Sequence, residues 1–199
     1  MQPIIRFATA EDAAGVLEIY APYVVSTSVT FEVTVPRVYD FKRRIASISS
    51  SMPYLVCEMD GHIAGFAFAT VYKPMAAYMW NAALSVYVGS DYQRCNIASA
   101  LYLAAISLLK AQGYRKVLAF VTSANEVSEQ FHSAFGFTKV ATLEKAGFKG
   151  GKWYSESLFE KVLDDSDSAP TPVKSVSALD EAFCTRNFRQ CAKIIKRKA

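Results

Sequence analysis

The sequence predicts an α/β fold in which a mixed β-sheet is covered by helices. Segments with apolar residues at helical spacing alternate along the chain with short apolar or β-branched runs. Asp60-Gly61 joins two of these runs and is a strong hairpin signal. The resulting order, β-α-α-β-β-β-α-β-α-β-β, alternates in its middle and has hairpins at both ends, which is typical of a mixed sheet flanked by helices.

The first half of the chain contains two predicted helices before the hairpin. The run IIRFA, Ile4 to Ala8, is predicted as a strand, and Thr9 to Asp12 follows as a capping-box-like helix start. A helix is then predicted to about Tyr23, because apolar residues repeat at helical spacing. Residues 27–36, TSVTFEVTVP, are predicted to be extended, and Pro36 precedes a second helix from Arg37 to about Ser50.

The second half has clearer boundaries. The predicted elements are a strand over WNAALSVYV (Trp80–Val88), a helix over Asn96–Gln112 with Gly113 as its C-cap, a buried strand over Lys116–Thr122, a short helix over Asn125–Ala134 that stops at Gly136, and two last strands around a turn at Lys149–Lys152.

Length and composition indicate one soluble domain with a tail. Of the 199 residues 52% are hydrophobic and 20% are charged, so the chain can build a core and is not disordered as a whole. The net charge of +4 is too small to indicate nucleic-acid binding by itself. No leader-like N-terminus and no run of about 18 apolar residues is present, so we expect no transmembrane segment.

The four cysteines indicate free thiols. Cys57, Cys95, Cys184 and Cys191 form no C-x-x-C pair, and no histidine lies at metal-ligand spacing from them. We therefore expect no metal site and a reducing, cytoplasmic location.

The composition changes at Asp164. Residues 1–163 are predicted as the domain, 164–176 as an acidic Ser/Pro-rich linker, and 177–199 as a basic tail whose sequence can form a helix. The tail contains six basic and two acidic residues, which give it a net charge of +4. The basic residues are Arg186, Arg189, Lys193, Lys196, Arg197 and Lys198, and the acidic ones are Asp180 and Glu181. Such a segment can bind a membrane surface or an acidic partner, or it can be a solvated, frayed or self-docked terminus, which is the commoner case.

The junction SVYVGSDYQRCNIASALY, Ser85 to Tyr102, carries the first functional indication. A predicted strand ends at Val88 and a helix starts near Asn96. Helix N-termini present unpaired N–H groups and a positive dipole end, so they bind anions. Small residues at Ala98, Ser99 and Ala100 give a ligand access, and Arg94 adds a positive charge, although small residues here more often serve packing alone.

The neighbouring residues resemble a known family. Gln93-Arg94-x-x-Ile97-Ala98 resembles the Q/R-x-x-G-x-G/A motif of the GNAT acetyltransferase superfamily, with Asn96 in place of the first glycine, and NEVSEQFHSAFGF resembles its second motif. From Ile4 to Leu163 the chain is similar to the phosphinothricin N-acetyltransferase branch, including the segment AGFKGGKW.

The resemblance has four implications. It implies a GNAT-type mixed, mostly antiparallel seven-stranded sheet flanked by helices. It implies acetyl-CoA as the acetyl donor and a small amino-acid-like amine, of the phosphinothricin or methionine sulfone type, as the acceptor. It implies a homodimer formed through the C-terminal strands. It also implies a cofactor site made by Val86, Tyr87 and Val88 through their backbone, by Arg94, Cys95, Asn96, Ile97, Ala98 and Ser99 around the pyrophosphate, and by Asn125 near the pantetheine, where Asn125 also suits a helix N-cap.

The catalytic residues follow the resemblance less closely. His132 stands where the branch places a proton donor for the departing thiolate, although a lone histidine on a short helix can also be a packed or exposed residue. Ala83 occupies the position of the branch's base glutamate and cannot accept a proton. Glu32, in the segment TFE, is the replacement candidate, and it can equally be a surface residue.

The substrate-binding residues also depart from the branch. Lys73 and Tyr78 are kept, but Met75 stands where the branch has an arginine suited to a carboxylate or phosphinate. Methionine cannot bind an anion in this way, so phosphinothricin itself is expected to be a poor substrate.

Three functions remain open from the sequence. The first is an active N-acetyltransferase for small amines. The second is a CoA-binding module that has weak or no catalysis. The third is an acetyltransferase for protein amines, with the basic tail as a docking element.

Overall fold

The computed structural model describes residues 2–122 and 125–197. Its helices and strands, numbered in chain order, are β1 (Ile4–Phe7), α1 (Ala13–Ser26), α2 (Val38–Ser49), β2 (Tyr54–Met59), β3 (His62–Val71), β4 (Asn81–Val88), α3 (Ile97–Gln112), β5 (Lys116–Thr122), α4 (Glu126–Ala134), β6 (Thr138–Lys149), β7 (Lys152–Val162) and α5 (Glu181–Ala192). The order through β7 is the one that the sequence predicts.

The described strands form one seven-stranded sheet in the order β1-β2-β3-β4-β5-β7-β6. Every neighbouring pair is antiparallel except β4 and β5, which are parallel. A parallel pair needs a crossover, and α3 supplies it. The predicted class, a mixed and mostly antiparallel sheet flanked by helices, is therefore confirmed.

The helices lie on both faces of the sheet and bury two cores. Residues of α1 and α2 pack with Tyr54, Val56 and Phe66 on one face. Residues of α3 and α5 pack with Leu55 and Ala67 on the other. Successive strand residues belong to opposite cores because side chains alternate across a strand.

Two turn predictions are confirmed in detail. Asp60 and Gly61 have φ of 51° and 85°, as the turn between β2 and β3 requires. Gly113 has φ of 95°, and its N–H donates to the carbonyls of Leu109 and Lys110 at the end of α3.

The sequence predicts that residues 27–36 are extended, whereas they bend at residues 28–30 and 34 and form no strand. This segment crosses the end of β5 instead of joining the sheet. Thr122 Oγ1 donates to the Ser28 carbonyl at 2.6 Å, and Lys149 Nζ donates to the Thr30 carbonyl at 2.7 Å. Side chains therefore satisfy backbone groups that a strand would have paired.

The residues after the last strand pack against the body. Residues 164–175 form no helix or strand, but Trp80 Nε1 donates to the Thr171 carbonyl and the Lys174 N–H donates to the Gln112 carbonyl, both at 2.8 Å. Helix α5 then packs on α3 and β1. Lys198, which the sequence counts in the basic tail, lies outside the described residues.

The described residues contain neither a membrane-spanning helix nor a cluster of metal-ligating side chains. No helix there is both long and apolar enough to cross a bilayer. No group of three or more potential metal-ligating side chains occurs there either. All four cysteines are free and buried.

Candidate active site

The parallel strands β4 and β5 part in the middle of the sheet and leave an open wedge. Their register pairs Asn81 with Lys116 and ends at Ala83 with Leu118. Strand β4 continues to Val88 beside β3 alone, and β5 continues to Thr122 beside β7 alone. A ligand with an extended polar chain can bind along the freed edge of β4.

The register shows which β4 groups face this wedge. The Ala69 N–H donates to the Pro53 carbonyl in the direction of β2, so Ala69 and its β4 partner Leu84 form a pair without mutual hydrogen bonds. The N–H and C=O of Leu84, and by alternation those of Val86 and Val88, therefore point away from β3. The backbone groups of Val86 and the Val88 N–H are therefore available, whereas the Val88 carbonyl accepts from the Tyr23 hydroxyl at 2.7 Å and the Tyr87 backbone groups face β3.

The turn after β4 leads into a helix start suited to an anion. Asn96 has φ 61° and ψ 16°, a left-handed conformation, and precedes α3 as its N-cap residue. The Ala100 N–H donates to the Asn96 carbonyl as the first bond of the helix. The N–H groups of Ile97, Ala98 and Ser99 precede that bond and have no acceptor within the helix. A left-handed residue followed by right-handed ones gathers such N–H groups into an anion-binding concavity.

The side chains of this junction play different parts. Arg94 is exposed and has φ of 65°. Cys95 is 3% exposed with its thiol directed to the Gln93 carbonyl, so it can contact a ligand only through its backbone. The Asn96 side chain donates from Nδ2 to the Ile194 carbonyl at 3.1 Å. The amide is therefore engaged by the C-terminal segment.

Asn125 is the N-cap of α4. Its Oδ1 accepts from the Ser128 N–H at 3.1 Å. This is the capping role that the sequence also allowed. The Asn125 Nδ2 group is the part of the side chain that this cap leaves for a ligand.

His132 is buried beneath the wedge. It is 5% exposed, its Nδ1 lies 2.7 Å from the Ser128 carbonyl, and its Nε2 lies 2.8 Å from the Tyr102 hydroxyl. Burial lowers the pKa of His132, so its neutral form is favoured. A carbonyl can only accept, so Nδ1 carries the proton and Nε2 accepts from Tyr102.

Tyr102 is a site residue that sequence reasoning missed. It is fully buried in α3, and its hydroxyl lies 3.3 Å from the Leu84 carbonyl, at the first β4 residue beyond the β5 pairing. Burial raises its pKa, so the phenol stays protonated. The available signal was that Tyr102 is the one aromatic residue in a helix rich in aliphatic residues, because a buried hydroxyl needs a partner.

Glu32 lies on the opposite face of the sheet in an ion pair. Its Oε1 is 2.9 Å from Arg44 Nη1 on α2, and each side chain is about one-third exposed. The Arg44 guanidinium lies 4.8 Å from the Phe41 ring centre. Beside the pair, the Tyr20 hydroxyl lies 2.8 Å from Thr30 Oγ1. Arg44 was not identified from the sequence.

Tyr87 connects this cluster to β4. Burial is the main cause of its raised pKa, and the nearby Tyr20 and Glu32 contribute in the same direction. Ala83 lies on the same face of β4 as Tyr87, four residues earlier. Glu32 is therefore near this face of β4 although Ala83 offers no carboxylate.

Lys73 and Tyr78 lie together at the other end of β4. Lys73 Nζ is 5.0 Å from the Tyr72 ring centre and 4.9 Å from the Tyr78 ring centre, within cation–π range. Tyr72 stacks on Phe120 of β5 at 6.3 Å. An eight-residue strand is about 25 Å long, so the structure does not bring this pair to the junction after Val88.

The segment AGFKGGKW supports the loop that carries Glu32. A Cβ atom at Gly147 would lie 2.8 Å from the Phe31 ring, so Phe31 packs directly on the glycine backbone. The Lys149 ammonium holds the same loop through the Thr30 carbonyl. The hairpin of β6 and β7 thus fixes the position of Glu32.

Comparison with known proteins gives consistent matches. A family model described as an acetyltransferase (GNAT) domain matches residues 5–158. A phosphinothricin N-acetyltransferase from Streptomyces viridochromogenes is 31% identical over 175 residues, which are 88% of this chain and 95% of the relative. An L-methionine sulfoximine/L-methionine sulfone acetyltransferase from Salmonella typhimurium is 27% identical over 165 residues, covering 81% of this chain and 95% of that protein.

A solved structure shares the fold. It is a GNAT superfamily phosphinothricin acetyltransferase from Sinorhizobium meliloti in complex with AcCoA. The TM-score is 0.80 at 27% identity, and the match covers 86% of this chain and 94% of that one.

Proposed function

The chain belongs to the GNAT acetyltransferase family, and from this premise we propose that it is an acetyl-CoA-dependent N-acetyltransferase acting on the primary amine of small amino-acid-like substrates. The observation that carries the proposal is the wedge between β4 and β5, which leads directly to the N-terminus of α3. The relatives that are named for phosphinothricin and for methionine sulfoximine or sulfone support the substrate class.

The donor set of the wedge fits acetyl-CoA. The outward N–H and C=O groups of Leu84 and Val86, together with the Val88 N–H, suit the amides of a pantetheine chain. The first-turn N–H groups of α3, with the exposed Arg94, suit a pyrophosphate. When bound, acetyl-CoA supplies the acetyl group as a reactive thioester.

We assign the proton acceptor to Glu32. An amino acid carries an ammonium and a carboxylate, and the Glu32–Arg44 pair offers the two opposite charges on one side of β4. In this arrangement Glu32 takes the proton from the substrate ammonium, and Arg44 holds the carboxylate in place of the arginine that Met75 replaces. Two observations support this assignment. Glu32 Oε1 lies 2.9 Å from Arg44 Nη1, and the negative charge of Glu32 is close enough to β4 to contribute to the raised pKa of Tyr87.

We propose that His132 acts through Tyr102. Both nitrogens of the ring have protein partners, and Nε2 carries no proton, so the group that can donate a hydrogen bond to the departing thiolate is the Tyr102 hydroxyl, without transfer of a proton from His132. Tyr102 is then the group that contacts the reacting atoms, and His132 is the positioning residue. With the Tyr102 proton directed to Nε2, the Leu84 carbonyl remains an acceptor for a ligand N–H.

Lys73 and Tyr78 are proposed to bind the far end of the substrate. The Lys73 ammonium is held between two aromatic rings as a point charge. Met75 beside it is 52% exposed and apolar. This chemistry favours a substrate with a less anionic side chain than phosphinothricin, such as methionine sulfone.

A homodimer through the last strands is part of the proposal. Strand β6 is an edge of the sheet, and Val140, Leu143, Phe148 and Trp153 are exposed on the β6–β7 hairpin. Exposed apolar residues on an edge strand mark an interaction surface. Pairing of two β6 edges would cover them.

Ala83 favours one alternative, a CoA-binding module without turnover. The test is an amine screen with acetyl-CoA that follows free thiol and identifies the acetylated product by mass spectrometry. Methionine sulfone is expected to release thiol well above the rate without amine, methionine sulfoximine comparably, and phosphinothricin more slowly. Tight acetyl-CoA binding without turnover of any amine would instead support the module.

A further inference from the structure

The C-terminal segment after α5, residues 193–197, lies directly against the junction that precedes α3. The Lys196 N–H donates to the Cys95 carbonyl at 2.9 Å. Asn96 Nδ2 donates to the Ile194 carbonyl at 3.1 Å. The two hydrogen bonds join neighbouring residues of the junction to this segment, which we call the strap.

The strap is anchored before it reaches the junction. Phe188 of α5 packs edge-on against Phe7 of β1, with ring centres 5.0 Å apart. Asn187 Nδ2 donates to the Ala104 carbonyl of α3 at 3.0 Å. At the far end of the strap, Arg197 Nη2 lies 3.0 Å from Asp60 Oδ1 in the turn between β2 and β3. Contacts on both sides therefore hold the strap in place.

Two peculiarities of the chain meet in this contact. Asn96 stands where the family motif has glycine, and its φ of 61° is a conformation that glycine adopts freely and other residues adopt at a cost. The strap lies beyond residue 158, where the family match ends. A glycine at this position could not form the hydrogen bond to the Ile194 carbonyl. The Asn96 side chain therefore connects the left-handed residue to the strap.

We infer that the strap is a positioning element of the cofactor site and that Asn96 is its positioning residue. It holds the Arg94–Ile97 turn in the conformation that directs the N–H groups of Ile97, Ala98 and Ser99 to one anion. A site ordered before binding loses less entropy when the ligand binds. The inference rests on the proposed function, since the anion is the pyrophosphate of acetyl-CoA.

Backbone chemistry provides a sharp test. Lys196→Pro removes the N–H that donates to Cys95 and leaves α5 intact, because α5 ends at Ala192. Lys196→Gln is the matched control, since it removes the charge and keeps both hydrogen bonds. Asn96→Gly keeps the left-handed turn and removes the side-chain bond. A chain that ends at Lys193 removes both contacts.

Acetyl-CoA binding is measured by calorimetry. Lys196→Pro and Asn96→Gly are each expected to weaken binding about fivefold, the worth of one net hydrogen bond, and the shortened chain by more. Lys196→Gln is expected to bind like the wild type. Unchanged acetyl-CoA binding by the shortened chain would overturn the inference. A loss of affinity in Lys196→Gln equal to that in Lys196→Pro would also overturn it, because the lost charge would then be the cause.

Hydrogen exchange of the ligand-free protein separates this inference from the proposed function. The amides of residues 94–99 are expected to exchange faster in Lys196→Pro than in Lys196→Gln. This result supports the strap whether or not acetyl-CoA is the ligand. Equal exchange in the two variants contradicts it, whereas a wild-type protein that does not bind acetyl-CoA contradicts the proposed function.

Discussion

The Tyr102 hydroxyl lies 2.8 Å from His132 Nε2 and 3.3 Å from the Leu84 carbonyl, at the point where β4 and β5 part. A buried hydroxyl in this position connects the core to the wedge. His132 sets the direction of its proton, because Nδ1 donates to the Ser128 carbonyl and Nε2 must accept.

Replacing Tyr102 with phenylalanine tests this role. Tyr102→Phe is expected to lower kcat about a hundredfold, because positioned hydroxyls and bases contribute at this scale, and to leave acetyl-CoA affinity nearly unchanged. It also leaves Nε2 buried without its donor, which costs about 1–3 kcal/mol of stability. Steady-state kinetics and calorimetry measure the two effects. Tyr114→Phe, in the same core, is the control, and equal kcat in both variants would rule out the role.

The burial of His132 predicts a pH dependence of stability. Its pKa in the folded protein is below that of the unfolded chain, about 6.5. The unfolded chain therefore binds the proton more readily as the pH falls, and this part of the stability is present at pH 7 and lost towards pH 5. Urea unfolding should show that His132→Gln loses less stability over this range than the wild type. A wild-type dependence in that variant would mean that the ring does not stay neutral in the fold.

The Glu32–Arg44 pair predicts a selective defect in substrate binding. Arg44→Met is expected to raise KM for methionine sulfone about tenfold or more, because a carboxylate loses its cation, while acetyl-CoA affinity is unchanged. Lys42→Met is the matched control, since Lys42 lies on the same helix and pairs with Glu11 at 3.1 Å in an exposed position. If both variants have wild-type KM, the substrate carboxylate binds elsewhere.

The exposed edge at β6 predicts the assembly state. Leu143→Lys places a charge on the edge opposite Glu156 of β7, so the single chain can accommodate it. Analytical ultracentrifugation is expected to show a dimer for the wild type and a monomer for this variant. Val127→Lys, on exposed α4, should stay dimeric. A monomeric wild type would remove β6 as the interface.

Local pattern was sufficient for the order of helices and strands and for the position of the junction. The Asp60-Gly61 turn, the Gly113 cap and the strand–turn–helix from Val86 to Ala98 depend on neighbours in sequence, so composition and spacing define them. The motif resemblance then identified the family correctly, because the residues that shape the junction are contiguous.

The remaining site residues depend on tertiary register. Leu84 faces the wedge only because β5 stops pairing at Ala83, which no local pattern encodes. Arg44 meets Glu32 across a loop and a helix. The strap reaches Asn96 from 98 residues away, and the linker-like composition before α5 gave no indication that the segment packs on the body.

The most direct test of the cofactor site uses two matched alanines. Ala98 and Ala14 are each the second residue of a helix, α3 and α1, where an acidic side chain suits the helix dipole. Ala98→Asp puts a negative charge where the pyrophosphate is proposed to bind, whereas Ala14→Asp puts it at a distant helix. Calorimetry is expected to show micromolar acetyl-CoA binding by the wild type and by Ala14→Asp. Binding by Ala98→Asp is expected to be at least about tenfold weaker, because the introduced carboxylate repels the negatively charged pyrophosphate beside it. Equal affinity in all three proteins, or no binding by the wild type, would contradict a cofactor site at the start of α3.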